Sequence, residues 1–255
     1  MDEFISAINQ LADISGDVIR KYFRKPITVD DKPDASPVTI ADREVEEKIR
    51  EQIINLFPDH GIFGEEYGKS QMDAEYIWVI DPIDGTKAFI TGKPSFGTLI
   101  ALLKDGYPIL GLIDQPITKE RWLGASGCNS TLNGQDIHVR SCDSLAKATL
   151  YATAPEMFCG DDFTAFSRLY KSVKLPRYGA DCYAYGLLSM GFVDLVVEAS
   201  LKPYDYSALV PIIEGAGGKI TDWQGQKLNL NSDGKVAASG DAALHSLALA
   251  KLRGE

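Results

Sequence analysis

What this chain lacks narrows its chemistry before any motif is weighed. Its three histidines, His60, His138 and His245, are scattered, with no H-E-x-x-H spacing and no serine or cysteine elbow beside them. A zinc hydrolase and a Ser-His-Asp enzyme are therefore not indicated. No G-x-x-x-x-G-K-[ST] loop is present, which counts against a P-loop nucleotide enzyme. The four cysteines, Cys128, Cys142, Cys159 and Cys182, stand far apart without a C-x-x-C pair, so neither a zinc knuckle nor a redox dithiol is expected. They read as reduced and mostly buried. No apolar stretch approaches transmembrane length, and Met1-Asp2-Glu3-Phe4 opens without a basic region and an apolar run, so a cytoplasmic protein is expected.

Positive charge is also scarce. A net charge of −10 argues against a nucleic-acid backbone or an anionic membrane surface as the ligand. It would repel a phosphorylated ligand too, unless acidic side chains gathered in one place hold divalent cations that reverse the local field. The 255 residues, 45% of them hydrophobic, suit a substantial buried core in one α/β domain or two lobes, with no need of disulfides.

Helical spacing of Ile5, Ile8, Leu11, Val18, Ile19 and Tyr22 predicts a long packed first helix. The two prolines of Lys32-Pro33-Asp34-Ala35-Ser36-Pro37 predict a loop. Thr39 with Asp42 resembles a capping box with Asp in place of Glu, opening a second helix that runs toward Pro58. Ile77-Trp78-Val79-Ile80 has the pattern of a strand buried on both faces. Strands over 98–103 and 108–114 follow, joined through Asp105-Gly106, and Asn133-Gly134 marks another turn. Beyond these, strands near 148–152, 193–197 and 236–239 alternate with helices near 163–171, 183–190, 208–216 and 242–252. Such mixing predicts an α/β (α+β layered) fold rather than one doubly wound sheet. A single domain over 1–255 is expected, with a soft lobe boundary near 144 that separates a metal-binding lobe, 1–144, from a substrate lobe, 145–255.

Asp81-Pro82-Ile83-Asp84-Gly85-Thr86 is the most informative stretch. Two carboxylates at the end of a buried strand converge if Pro-Ile turns, the Ile83 carbonyl joins them, Gly85 permits a sharp bend and Thr86 adds a hydroxyl. Hard oxygen ligands of this kind suit Mg²⁺. A turn in which Asp and Gly serve only backbone geometry is the other reading of the motif alone. Glu65 and Glu66, in Gly64-Glu65-Glu66, are weak candidates by themselves, because adjacent glutamates are usually solvated. Asp205 stands where an N-cap is expected, before the stripe Leu209, Ile212 and Ile213, and an acid there can cap and bind metal together.

Taken in order, Glu65-Glu66, then Trp78 through Thr86, then Asp205 before Glu214-Gly215-Ala216-Gly217-Gly218 resemble the successive motifs of the inositol monophosphatase superfamily, and the resemblance spans nearly the whole chain. It implies an αβαβα sandwich of the inositol monophosphatase and sugar phosphatase type, a homodimer, and a Mg²⁺-dependent phosphomonoesterase acting on a small phosphorylated metabolite. By the same resemblance, Glu65, Asp81 and the Ile83 carbonyl hold one ion, while Asp81, Asp84 and Asp205 hold a second. A third, weaker ion involves Glu65 and waters. Thr86, assisted by Asp42, orients and helps deprotonate the attacking water, with Glu65 in the catalytic group. Lys32 matches a family position near the site, although its loop is one residue shorter here. A part for Glu66 stays open.

The substrate reader implied by the resemblance is Glu198 with the segment Gly179-Ala180-Asp181, beside Asp84, Gly85, Thr86 and Asp205. Inositol phosphatases usually carry Trp before the late aspartate, whereas this chain has Lys202-Pro203-Tyr204-Asp205. The stretches from Arg177 to Tyr185 and from Phe96 to Leu103 are instead similar to the superfamily's histidinol-phosphate phosphatases. Chemistry points the same way, since an ammonium and an imidazole can pair with Asp181 and Glu198, while inositol offers neutral hydroxyls. Conversion of L-histidinol phosphate to L-histidinol, a step of histidine biosynthesis, is the expected reaction. A broad inositol-1-monophosphatase is the alternative, and a non-catalytic acidic cation-binding protein is the alternative of another class. A helix cap is the competing role for Asp181.

Overall fold

The computed structural model describes residues 1–26, 28–31 and 37–255. The first apolar stripe becomes α1 (Asp2–Tyr22), which buries Ile8, Leu11, Ala12, Val18 and Ile19. A ribbon of β1 (Val29–Asp31) and β2 (Pro37–Thr39) leads to α2 (Ile40–Leu56). The expected loop therefore ends sooner than its prolines suggest: Pro37 already pairs with Asp31 at the end of a two-stranded ribbon, where a missing N–H is tolerated. Lys32 and the rest of 32–36 lie outside the described residues. The capping box is present, with the Thr39 hydroxyl accepting from the Ala41 amide at 3.1 Å and Asp42 Oδ2 accepting from the Thr39 amide at 2.9 Å.

Next come β3 (Gly61–Gly64), β4 (Gly68–Ser70), β5 (Tyr76–Asp84), α3 (Thr86–Ile90), β6 (Gly97–Lys104), β7 (Tyr107–Gln115), β8 (Glu120–Ala125), β9 (Thr131–Leu132) and β10 (Gln135–Asp136). Among the described residues these strands make an eight-stranded sheet in the order β10-β9-β8-β7-β6-β5-β3-β4, in which β3 and β5 run parallel. The Asp105-Gly106 and Asn133-Gly134 turns take positive φ at both positions, as tight hairpins require. The chain continues through β11 (Thr149–Ala152), α4 (Gly160–Tyr170), β12 (Leu175–Tyr178), α5 (Tyr183–Ser189), β13 (Leu195–Glu198), α6 (Pro203–Tyr206), α7 (Leu209–Gly215), β14 (Lys219–Asp222), β15 (Val236–Ser239) and α8 (Ala242–Arg253). The second sheet, again among the described residues, has five strands in the order β12-β11-β13-β15-β14.

Layering follows from strand alternation. In β5, Trp78 and Ile80 join the apolar cluster of α1 and α2, whereas Ile77 and Val79 join the cluster of α5 and α7. In β15, Val236 and Ala238 face that same middle layer while Ala237 packs among residues of α4 and α8. The result is the layered αβαβα arrangement: helix pair, large sheet, helices, small sheet, helix pair. Of the four cysteines, all free, only Cys182 is buried, while Cys128 and Cys159 are exposed, which corrects the expectation of mostly buried thiols. Cys128 lies in a bend after the turn at 126–127 and Cys159 is the N-cap of α4, both outside the sheets.

One buried histidine gives the fold an acid-sensitive point. His245 of α8 is 1% exposed, and its Nε2 lies 3.2 Å from the Ala237 carbonyl and 3.1 Å from the Thr221 hydroxyl. The carbonyl can only accept, so Nε2 carries a proton. Burial pushes its pKa down to about 4. A folded value below the unfolded one means the stabilisation is complete above about pH 6.5 and is lost as the pH falls toward 4, on the order of 3 kcal/mol for the full shift. Urea titrations of wild type and His245→Gln between pH 7 and 4 should show the smaller loss in the variant. Parallel losses would rule His245 out as the acid-sensitive group.

Candidate active site

The site is built where β5 stops being a regular strand. Asp81 pairs with Leu99 of β6 and the next pair is Asp84 with Gly97, so the ladder shifts at Pro82 and Ile83. Asp81 Oδ1 accepts from the Ile83 amide at 3.0 Å and tightens this turn. Gly85 follows in the left-handed region at φ 84°, and α3 then starts at Thr86. The Thr86 hydroxyl donates to the Ile83 carbonyl at 3.1 Å and lies 3.5 Å from Asp42 Oδ1. Parallel pairing supplies the next acid: Gly64 sits beside Ile80, so Glu65 follows beside Asp81, its amide donating to the Ile80 carbonyl at 3.1 Å.

Asp205 arrives from α6, but not as an N-cap. Lys202 is the N-cap, Pro203 opens the helix, and Asp205 caps from inside by accepting the Lys202 amide at 2.6 Å. That short turn still delivers its carboxylate to the others: oxygens of Asp81, Asp84 and Asp205 all lie within 4.8 Å of one another.

These groups crowd charge of one sign. Burial, then the charges of Glu65, Asp84 and Asp205, hold the Asp81 carboxyl far above its usual range, and Asp81 is only 2% exposed. Burial followed by Asp181 and Asp205 does the same to Asp84. Asp205 is pushed up to about 7, chiefly by burial, with Glu65 and Glu198 adding to it. Converging carboxylate oxygens whose nearest strong charges are all negative fit a metal cation.

Above this cluster opens a cleft of about 230 Å³ lined by Glu65, Asp84, Thr86, Asp181, Glu198 and Asp205, among others. Larger recesses exist, of about 440 Å³ by Asn9 and Arg121 and about 650 Å³ by Tyr107 and Glu214, yet neither gathers unneutralised acids. In the first of these, Arg121 is held by Asp13 and Asp114. The cleft joins the two sheets chemically, because the Cys182 amide donates to Asp84 Oδ2 at 2.6 Å. Asp181 crosses over Gly85, where an added Cβ would come within 2.8 Å of its carboxyl carbon. Its side chain accepts from Ser95 at 3.3 Å, and α5 is capped at Cys182 with no side-chain bond, so the helix-cap role for Asp181 does not hold. Glu198, 3% exposed, accepts from the Thr153 amide at 2.8 Å and the Tyr185 hydroxyl at 2.9 Å.

Glu66 does not line the cleft; its amide bonds to Glu46. Asp42 stands behind Thr86, fully buried, with burial raising its pKa. Sequence reasoning misses Tyr185, Thr153 and Lys87, which line the cleft with the acids. Tyr185 carries the one available signal, a large polar aromatic on the inward face of a short apolar helix.

Comparison with known proteins agrees with this construction. The sequence model of the inositol monophosphatase family matches residues 1–255. Bifunctional phosphatase IMPL2, a chloroplastic protein of Arabidopsis thaliana, is 55% identical over 261 residues, covering 99% of this chain and 75% of that protein. A histidinol-phosphatase of Chlorobaculum parvum is 34% identical over 232 residues, 90% of each chain. Among solved structures, an inositol monophosphatase from Zymomonas mobilis superimposes with a TM-score of 0.91 at 48% identity, covering 99% of this chain and 98% of that one. Among the described residues no helix is long and apolar enough to cross a membrane.

Proposed function

The chain belongs to the inositol monophosphatase family and is thus a metal-dependent phosphomonoesterase; from that premise we propose that it hydrolyses L-histidinol phosphate with two or three Mg²⁺ ions. One observation carries the substrate: beyond the Asp81, Asp84 and Asp205 cluster, the cleft holds a second acidic pair, Asp181 and Glu198. Carboxylates in a low-dielectric cleft favour a substrate that brings positive charge, as the ammonium and imidazole of histidinol phosphate do. The Chlorobaculum relative, named a histidinol-phosphatase, supports this reading.

In this reading Glu65, Asp81, Asp84, Asp205 and the Ile83 carbonyl would hold the ions. Bound magnesium supplies Lewis-acid activation of water and neutralises the phosphate oxygens. The Thr86 hydroxyl would turn from the Ile83 carbonyl to Asp42 Oδ1, giving its own proton to Asp42 as its oxygen accepts one from the attacking water. Asp42 suits that task, because Thr39 fixes its Oδ2 through two hydrogen bonds while Oδ1 faces Thr86, and its raised pKa brings it closer to neutrality as a proton acceptor. Asp181 and Glu198 orient the ester so that its phosphate meets this water.

Inositol 1-phosphate is the second reading, favoured by the likeness to the Zymomonas inositol monophosphatase, since carboxylates also accept hydrogen bonds from neutral hydroxyls. The deciding experiment compares kcat/KM for the two esters at saturating Mg²⁺. A preference for histidinol phosphate of about tenfold or more is expected, the worth of one charge-assisted hydrogen bond. A preference for inositol 1-phosphate overturns the assignment.

A further inference from the structure

Glu46 is a buried acid that the reaction does not use. It lies on α2, on the same face as Asp42, Val45, Ile49 and Ile53, and is 0% exposed. A carboxylate removed from water costs several kcal/mol unless strong donors replace the solvent. Two donors come from the 64–68 loop and one from the same helix: Oε2 accepts from the Glu66 amide at 2.7 Å, and Oε1 accepts from the Tyr67 amide at 3.1 Å and from Arg50 Nε at 2.8 Å. Arg50 Nη2 then donates to the Gly68 carbonyl, so the pair grips the loop along its length. Gly64 completes the arrangement, because an added Cβ there would overlap the Glu46 carboxylate. Between Gly64 and Glu66 stands Glu65.

We propose that Glu46, backed by Arg50, is a positioning residue for the metal centre, holding the 64–68 loop so that the Glu65 carboxylate meets Asp81. The proposal rests on the reading of Glu65 as a metal ligand. Parallel pairing of β3 with β5 sets Glu65 at the right level, but that pairing ends at Gly64 and Ile80. Past it the β3–β4 hairpin closes between Gly64 and Gly68, and the turn within it is tied down by the Glu65 amide on the Ile80 carbonyl and by Glu46. Two consecutive amides on one charged group fix the loop's rotation as well as its distance, which a single bond does not.

Glu46→Gln keeps the shape and replaces one acceptor with a donor that faces an N–H. Binding of Mn²⁺ alone, measured by EPR, should weaken about tenfold, the usual cost of losing a partner that orients a ligand. The Mg²⁺ concentration for half-maximal activity should rise by the same factor, with kcat at saturating Mg²⁺ changed less than about twofold. Glu47→Gln, exposed on the same helix, should change neither. A merely structural Glu46 would lower the melting temperature in EDTA while leaving Mn²⁺ affinity intact, and that result overturns the proposal. Should Glu46→Gln fail to fold, Arg50→Gln decides by the same two measurements. Glu65→Gln separates the premise from the proposal: unchanged Mn²⁺ binding there removes Glu65 from the metal centre. Weakened binding in Glu65→Gln with unchanged binding in Glu46→Gln overturns the positioning role alone.

Discussion

Asp81→Asn should abolish phosphatase activity and, in EDTA, melt at a higher temperature than wild type. Both effects come from one crowded set of charges. Asp81 is buried and feels the charges of Glu65, Asp84 and Asp205, all of its own sign, so without a cation the folded chain stores repulsion at this point. Asparagine is isosteric and its Oδ1 can still accept the Ile83 amide that Asp81 now holds at 3.0 Å, so the turn survives while the charge goes. Removing the charge relieves both its burial and its repulsion by the neighbouring acids, so the metal-free variant should be the more stable form. Activity should fall by about a thousandfold or more, because the centre loses the charge that gathers its ions. Calorimetry in EDTA and in Mg²⁺ tests this directly. Wild type should gain stability on adding Mg²⁺ and the variant little. A variant that is less stable than wild type in EDTA and equally stabilised by Mg²⁺ would sink the account.

Charge removal at the second acidic pair should change the choice of ester rather than the chemistry. Glu198→Gln removes the charge at nearly constant shape: its amide oxygen can still accept the Thr153 amide, while its nitrogen reverses the present bond by donating to the Tyr185 oxygen. Asp181→Asn likewise keeps an acceptor for Ser95. Each variant should lose about tenfold to a hundredfold in kcat/KM for histidinol phosphate, the worth of a hydrogen bond to a charged group, and under about threefold for a generic aryl phosphate. Stopped assays on both esters at fixed Mg²⁺ give the ratio. Equal losses on the two would take Asp181 and Glu198 out of substrate selection.

Much of this site is legible in the sequence, and the rest is hidden for physical reasons. The D-P-I-D-G-T turn shows because a strand buried on both faces reads as an unbroken apolar run, and its end is marked by groups that cannot stay in such a run. Glu65 does not show alone. Its place beside Asp81 depends on a parallel pairing between β3 and β5, and no local pattern reports which strand lies next to which. The position of Asp205 within α6 was open to inference: Pro203 prefers the first helical position, which puts the N-cap at Lys202. Asp181 lies against Gly85, a contact between residues far apart in the chain that no local pattern reports. Short strands such as β4, β9 and β12 are too brief to display alternation. Glu46 is visible in hindsight, as an acid on the apolar stripe of an amphipathic helix.

The alternation of β5 has one more consequence. Ile77 and Val79 belong to one apolar cluster, Trp78 and Ile80 to another, and Asp81 is the next residue on the same strand. Sliding the strand by one residue would exchange the two sets and turn Asp81 toward α1 and α2. Two cores of different shape thus proofread the catalytic geometry, rejecting the wrong setting through misfit of apolar side chains far from any charge. A smaller residue at Trp78 would weaken that check, since Trp78 is among the largest fully buried side chains.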